Sequence, residues 1–222
     1  MQTFETTAPI TAVLDIPAGH VRFIASDRAD TTVEVLPADA SKGRDVKVAE
    51  QTTVAYRDGI LRIEASAKNQ YLGPSGAIEV TVQLPAGSRV EAKAAGAGFR
   101  GVGRLGDVAF ESAHGAVKLD ETASARLTTV AGDVSVGRLG GPAEISTGKG
   151  DIRIAEAVRG TVVLTTQAGD VSVGAAAGVS ASLDAGTGHG RIHNALRNSE
   201  GGAAGLNIRA TTAYGDITAR SL

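Results

Sequence analysis

Four aspartates each follow a glycine: Asp133, Asp151, Asp170 and Asp216. Carboxylates repeated at a fixed place are one way to assemble a calcium site, because a hard cation collects several oxygen ligands. Calcium-binding β-rolls do this with a period of about nine residues in a glycine-denser motif. Here one Gly-Asp occurs per much longer repeat, so the same residues also suit capped turns whose carboxylates accept nearby backbone N–H groups. These four aspartates are the candidate binding residues. We favour the turn and expect no metal and no cofactor.

His189 and His193 stand four apart, a metal-pair spacing on a helix. On a strand the same spacing separates them by about 13 Å, too far for one ion. His20 and His114 have no partner in the sequence and are expected in solvent. Gly96-Ala97-Gly98 and Gly186-Thr187-Gly188 precede strand patterns, not helices, which argues against a phosphate loop. No spacing favours a Ser-His-Asp arrangement. The absence of cysteine removes disulfides, thiol nucleophiles and thiolate metal sites. No catalytic residue stands out, and the chain reads as a non-enzyme.

The elements that position these residues come from a repeated phrase. It runs Leu127-Thr128-Thr129-Val130-Ala131-Gly132-Asp133-Val134-Ser135-Val136 and returns around Gly150, Gly169 and Gly215, with looser copies around Gly115 and Gly190. The steps between successive glycines are 17, 18, 19, 21 and 25 residues. A period this short without helical patterning marks a solenoid in which each repeat is one coil. After each glycine, apolar and polar residues alternate as on a half-buried strand. Stacking predicts an interior column of Val117, Val134, Ile152, Val171, Ile192 and Ile217. It predicts an exterior one of Lys118, Ser135, Arg153, Ser172, His193 and Thr218.

Before the glycine, Phe110, Leu127, Ile145, Leu164, Leu183 and Ala210 are expected inside, with Glu111, Thr128, Ser146, Thr165, Asp184 and Thr211 outside. Ser112, Thr129, Thr147, Thr166 and Thr212 form a polar ladder near the corner. The glycine itself is expected at positive φ, which other residues adopt only at a cost.

Upstream, Val13–Gly19 reads as a strand ending in a Pro17-Ala18-Gly19 turn, and His20–Ala25, Thr32–Val35, Val46–Val48, Thr53–Tyr56, Leu61–Ala65 and Ile78–Leu84 read as further strands, with a hairpin turn at Asp58-Gly59. Ala38 to Arg44 reads as a polar loop and Ser66 to Gly76 as a mobile one. No amphipathic helix longer than a turn or two is evident. The expectation is one all-β domain over 1–222. It comprises an irregular N-terminal β cap (1–88) and a single-stranded parallel β-helix (89–222), with a right-handed wind.

Composition agrees. The 29 glycines suit many tight corners, and aromatics at 3% leave a narrow interior to Val, Ile, Leu and Ala. Net charge is −2 with no basic stripe, against a nucleic-acid surface. Met1-Gln2-Thr3-Phe4-Glu5 has no signal-peptide character and no apolar run is long enough for a bilayer span, so a cytoplasmic location is the default.

The Thr-Thr-x-x-Gly-Asp-Val-x-Val phrases, Asp15-Ile16-Pro17-Ala18-Gly19-His20-Val21 and Leu84-Pro85-Ala86-Gly87-Ser88 together resemble a bacterial family of strand-repeat proteins. These are called candidate adhesins or Toastrack domains, and the Ala-, Gly- and Arg-rich style resembles actinobacterial members. The resemblance implies a single-domain β-solenoid without known enzymatic activity, in a family linked with envelope or membrane-stress signalling. It supplies no functional-residue motif.

The reading is therefore a non-catalytic binding or scaffold protein, using flat Ser/Thr faces or contacting a protein partner or itself through its C-terminal coil. It inserts in no membrane. Two alternatives stay open: a self-assembling bactofilin-like solenoid, and a carbohydrate-active β-helix enzyme. A cluster of exposed carboxylates with a base in one groove would favour the enzyme.

Overall fold

The computed structural model describes residues 1–65, 76–197 and 205–222, so the expected loop at Ser66 to Gly76 lies almost wholly outside the described residues. The chain divides into two compact units, Met1–Gly115 and Ala116–Leu222. Both are built from stacked strands.

The first unit contains β1 (Gln2–Glu5), β2 (Thr11–Ser26), β3 (Asp30–Pro37), α1 (Gly43–Gln51), β4 (Thr52–Arg57), β5 (Ile60–Ala65), β6 (Ile78–Pro85) and β7 (Arg89–His114). Its centre is β2, a long strand with two arms. The first arm pairs in parallel with β5 and the second with β6, while both arms pair in parallel with β7. Parallel stacking therefore begins at Thr11, well before the regular coils read from residue 89. Antiparallel strands flank it: β4 on β5, β3 on β6, and β1 on β3. The Asp58-Gly59 turn has both residues at positive φ, 52° and 76°, which suits a tight hairpin. Phe23, Phe99 and Phe110 stack inside, with ring centroids 5.6 and 4.9 Å apart.

One expectation fails here. Val46-Lys47-Val48, read as a strand, lies in helix α1. Two alternating valines are too short a pattern to decide between periods, and Ala49, Glu50 and Gln51 favour helix. Tertiary contacts settle it. Asp45 sits buried in the first turn, where its Oδ1 accepts the Ala77 N–H at 3.0 Å, and Val48 faces the strands.

The second unit contains β8 (Val117–Ala131), β9 (Val134–Leu139), β10 (Ala143–Lys149), β11 (Ile152–Ala157), β12 (Gly160–Ala168), β13 (Val171–Ala175), β14 (Ala181–His189), β15 (Ile192–Ala195), β16 (Leu206–Tyr214) and β17 (Ile217–Ser221). All its strand pairs are parallel, and they build two walls joined at the glycine corners. One wall runs β8–β10–β12–β16–β14 and the other β8–β9–β11–β13–β17–β15. This is the expected parallel solenoid with one departure. The β16–β17 coil, later in the chain, sits between the β12–β13 and β14–β15 coils.

The interior column after the glycines is Val117, Val134, Ile152, Val171, Ile217 and Ile192 in that spatial order. All are buried except Ile192, which is 46% exposed because it belongs to the outermost rung, whereas Ile217 is 1% exposed. The other wall needs a second correction. Ala185, not Leu183, stands beside Ala210, and Gly186, not Asp184, beside Thr211. Leu127, Ile145, Leu164 and Ala210 all lie five residues before their corner glycine, and Ala185 keeps that distance from Gly190. Leu183 looked the better core residue, but register is set from the corner.

Candidate functional site

The corners carry the repeat's signature residues. Gly132, Gly150, Gly169, Gly190 and Gly215 all have positive φ, between 144° and 158°. Tight stacking makes the requirement stricter still. A Cβ on Gly169 would lie 2.0 Å from the Gly150 carbonyl oxygen, and one on Gly190 1.9 Å from that of Gly215. No side chain fits there.

Such close approach brings two side-chain ladders across successive rungs. In the first, a threonine hydroxyl donates to the glycine carbonyl of the rung before it: buried Thr147 to Gly132 (3.3 Å), Thr166 to Gly150 (3.1 Å) and Thr212 to Gly169 (3.0 Å), and half-buried Thr187 to Gly215 (3.0 Å). Thr129 opens this column in its unit, and its Oγ1 is the one buried side-chain polar atom without a partner among the described residues. Thr187 was not foreseen, although it lies three residues before its glycine like the others.

The second ladder is made by the four aspartates. Asp133 Oδ1 accepts the Asp151 N–H (2.9 Å), Asp151 that of Asp170 (2.8 Å), Asp170 that of Asp216 (2.7 Å) and Asp216 that of Arg191 (2.8 Å). The structure thus brings the four candidates into one column, each carboxylate engaged by the next rung's backbone. The ladder stops where the sequence changes to Arg191. That guanidinium turns back onto Asp216 Oδ2 at 3.2 Å. The Arg191 N–H bond chiefly holds the Asp216 carboxyl below its ordinary range, opposed by desolvation and helped to a lesser degree by the guanidinium. Hydrogen bonds to an ionised carboxylate favour that form.

The histidines do not converge on an ion. His189 stacks on the exposed ring of Tyr214, centroids 4.9 Å apart and 10° from parallel. His193 projects outward beside Thr218. Among the described residues, no three of His, Cys, Asp and Glu gather where they could hold a metal. Charges on the outer faces pair across rungs, as Arg126 with Glu144, Arg138 with Glu156 and Arg209 with Asp184.

The family model for Toastrack DUF4097 matches residues 13–221, nearly the whole chain. The chain belongs to the Toastrack family. Among solved structures, this Toastrack chain is similar to a candidate adhesin from Bacteroides fragilis at 12% identity and a TM-score of 0.49, with 98% of this chain and 95% of that one covered. A candidate cell-adhesion protein from Clostridium sporogenes is 12% identical with a TM-score of 0.41, covering 100% and 98%. A candidate lipid-binding protein from Parabacteroides distasonis is 11% identical with a TM-score of 0.43, covering 98% and 95%. No curated protein matches the Toastrack chain. No helix among its described residues is long and apolar enough to cross a membrane.

Proposed function

We propose that this chain is a non-catalytic binding or scaffold module that associates through its outermost rung, β14–β15. The observation that carries this is Ile192, an interior-column residue that is 46% exposed where its five column mates are buried. Among the described residues this rung has a strand partner on one side only, and a parallel edge with an exposed apolar residue is a natural place for strand-mediated contact. The chemistry-bearing residues support the same reading, since the aspartates and threonines of the repeat are engaged in joining rungs. A link to envelope processes belongs to the proposal too, and Toastrack membership alone supports it.

Light scattering coupled to size exclusion tests it. Wild type is expected to grow from the 22.4 kDa monomer towards dimer as concentration rises, and Ile192→Arg to stay monomeric. A wild type that stays monomeric throughout, or an Ile192→Arg variant that associates equally well, removes the outer rung as the contact.

A further inference from the structure

The β16–β17 arc follows β14–β15 in the chain yet lies inside it in the stack. It pairs in parallel on both sides: β16 with β12 and β14, and β17 with β13 and β15. Main-chain bonds run through it in one sense, with Val171 N–H donating to Asp216 O and Ile217 N–H to Arg191 O, each at 2.9 Å. Leu206, Ile208, Ala210, Thr212, Ile217 and Ala219 of the arc are all buried. It is a single rung held between two others, β12–β13 and β14–β15.

Order explains why the arc is inside. Had the coils stacked in chain order, Arg191 would follow Asp170, and the Asp216 N–H would meet an arginine where the rungs of Asp133, Asp151 and Asp170 offer a carboxylate. With the arc inserted, the aspartate ladder runs unbroken from Asp133 to Asp216, and Arg191 stands where no further N–H needs an acceptor. The slot between β12–β13 and β14–β15 is thus specified for one kind of arc. It takes a threonine three residues before a positive-φ glycine, an aspartate after it, and alternating apolar residues on either side.

None of these recognition bonds depends on the arc's covalent attachment to β15. We infer that the slot also takes the β16–β17 arc of a second copy, giving a strand-exchanged dimer in which each copy's arc completes the other's stack. Exchange of an identical element is an inexpensive route to a dimer, because every contact of the closed form is kept. Removing the arc exposes two apolar edges, and a matching arc from either chain covers them equally. The outer-rung contact proposed above is a different interface, and the two are separable.

The chain has no cysteine, so a disulfide trap can be placed at will. Ser172 and Thr218 are register partners on the outer side of β13 and β17. Neighbouring parallel strands lie about 4.8 Å apart, within disulfide reach. The full-length Ser172→Cys/Thr218→Cys variant is unfolded, refolded over about a hundred-fold range of concentration, oxidised and run on a denaturing, non-reducing gel. The expected result is a cross-linked monomer at the dilute end and a covalent dimer as a major species at the concentrated end. Ser182→Cys/Asn207→Cys, on the register partners of β14 and β16, is expected to give the same pattern. It keeps the test intact if the first pair folds poorly. Cross-linked monomer alone at every concentration overturns the exchange, even where scattering shows a non-covalent dimer. Equal dimer from the single Thr218→Cys variant overturns it as well, because random oxidation would then account for the band.

Discussion

At Gly169 the added carbon of an alanine would fall 2.0 Å from the Gly150 carbonyl oxygen at a φ of 156°, while at Gly186 it would meet nothing within 4 Å. Gly169→Ala is therefore expected to lose about 3 kcal/mol or more, from overlap and backbone strain together. Gly186→Ala should stay within about 0.5 kcal/mol. Urea unfolding of both variants measures the difference. A Gly169→Ala protein as stable as wild type would remove the close corner. Asp170 gives a finer probe. Its carboxylate holds the Asp216 N–H at the rim, so Asp170→Ala should cost about 1 kcal/mol, as for a lost cap. Calcium should leave the wild-type melting temperature unchanged if the column serves the turns alone. The aspartates were legible as a column in the sequence. Their acceptor role was one of two readings until the rung spacing brought each carboxylate onto a backbone N–H.

Among the strands, two rungs of one wall in the second unit differ in what one substitution does. Ile217 and Ile192 carry the same residue at the same register position, but the first is buried between Val171 and Ile192 while the second lies on the outer rung. Ile217→Asp should cost at least about 3 kcal/mol, since the charge would be dry and unpaired. Ile192→Asp should cost under about 1 kcal/mol, because that site already meets water. A larger loss for Ile192→Asp than for Ile217→Asp in thermal or denaturant unfolding would mean that the coils stack in chain order, and equal losses would remove the difference in burial between the two rungs. The sequence made the coils and their interior residues visible through strict alternation after each glycine. Stacking order was hidden, because parallel rungs of near-identical phrase pair equally well in more than one sequence. Two residues break the aspartate column, Ala116 before Asp133 and Arg191 after Asp216, and it is Arg191 that carried the information on the order of the last coils. Helix α1 was hidden for a different reason: its commitment rests on the buried Asp45–Ala77 contact, which spans 32 residues.

For the whole molecule, acid sensitivity should follow the few carboxylates with lowered pKa. The Ser41 hydroxyl first, then Lys42, lower Asp39 to about 2, and Asp30 is lowered chiefly by its hydrogen bond to Arg28. Asp216 is lowered by the Arg191 N–H. A depressed folded value means stabilisation that is fully present above the unfolded value, near 3.8, and lost as pH falls through the folded one. Stability should thus be insensitive to these groups at neutral pH and decline on acidification below about pH 4. Asp39→Asn should flatten part of that decline, and an identical acid limb in the variant would exclude its contribution. The inserted coil bears on events at the ribosome. Synthesis delivers β14–β15 one coil too early, since the neighbour it must rest on has not yet emerged. Up to that point coils can be laid down one at a time as they appear. There the growing protein must instead wait and seat two coils in a single step. A chain emerged from the ribosome only as far as the stretch between residues 195 and 206 would hold β14–β15 with its permanent neighbour still missing, which is true of no earlier coil of the second unit.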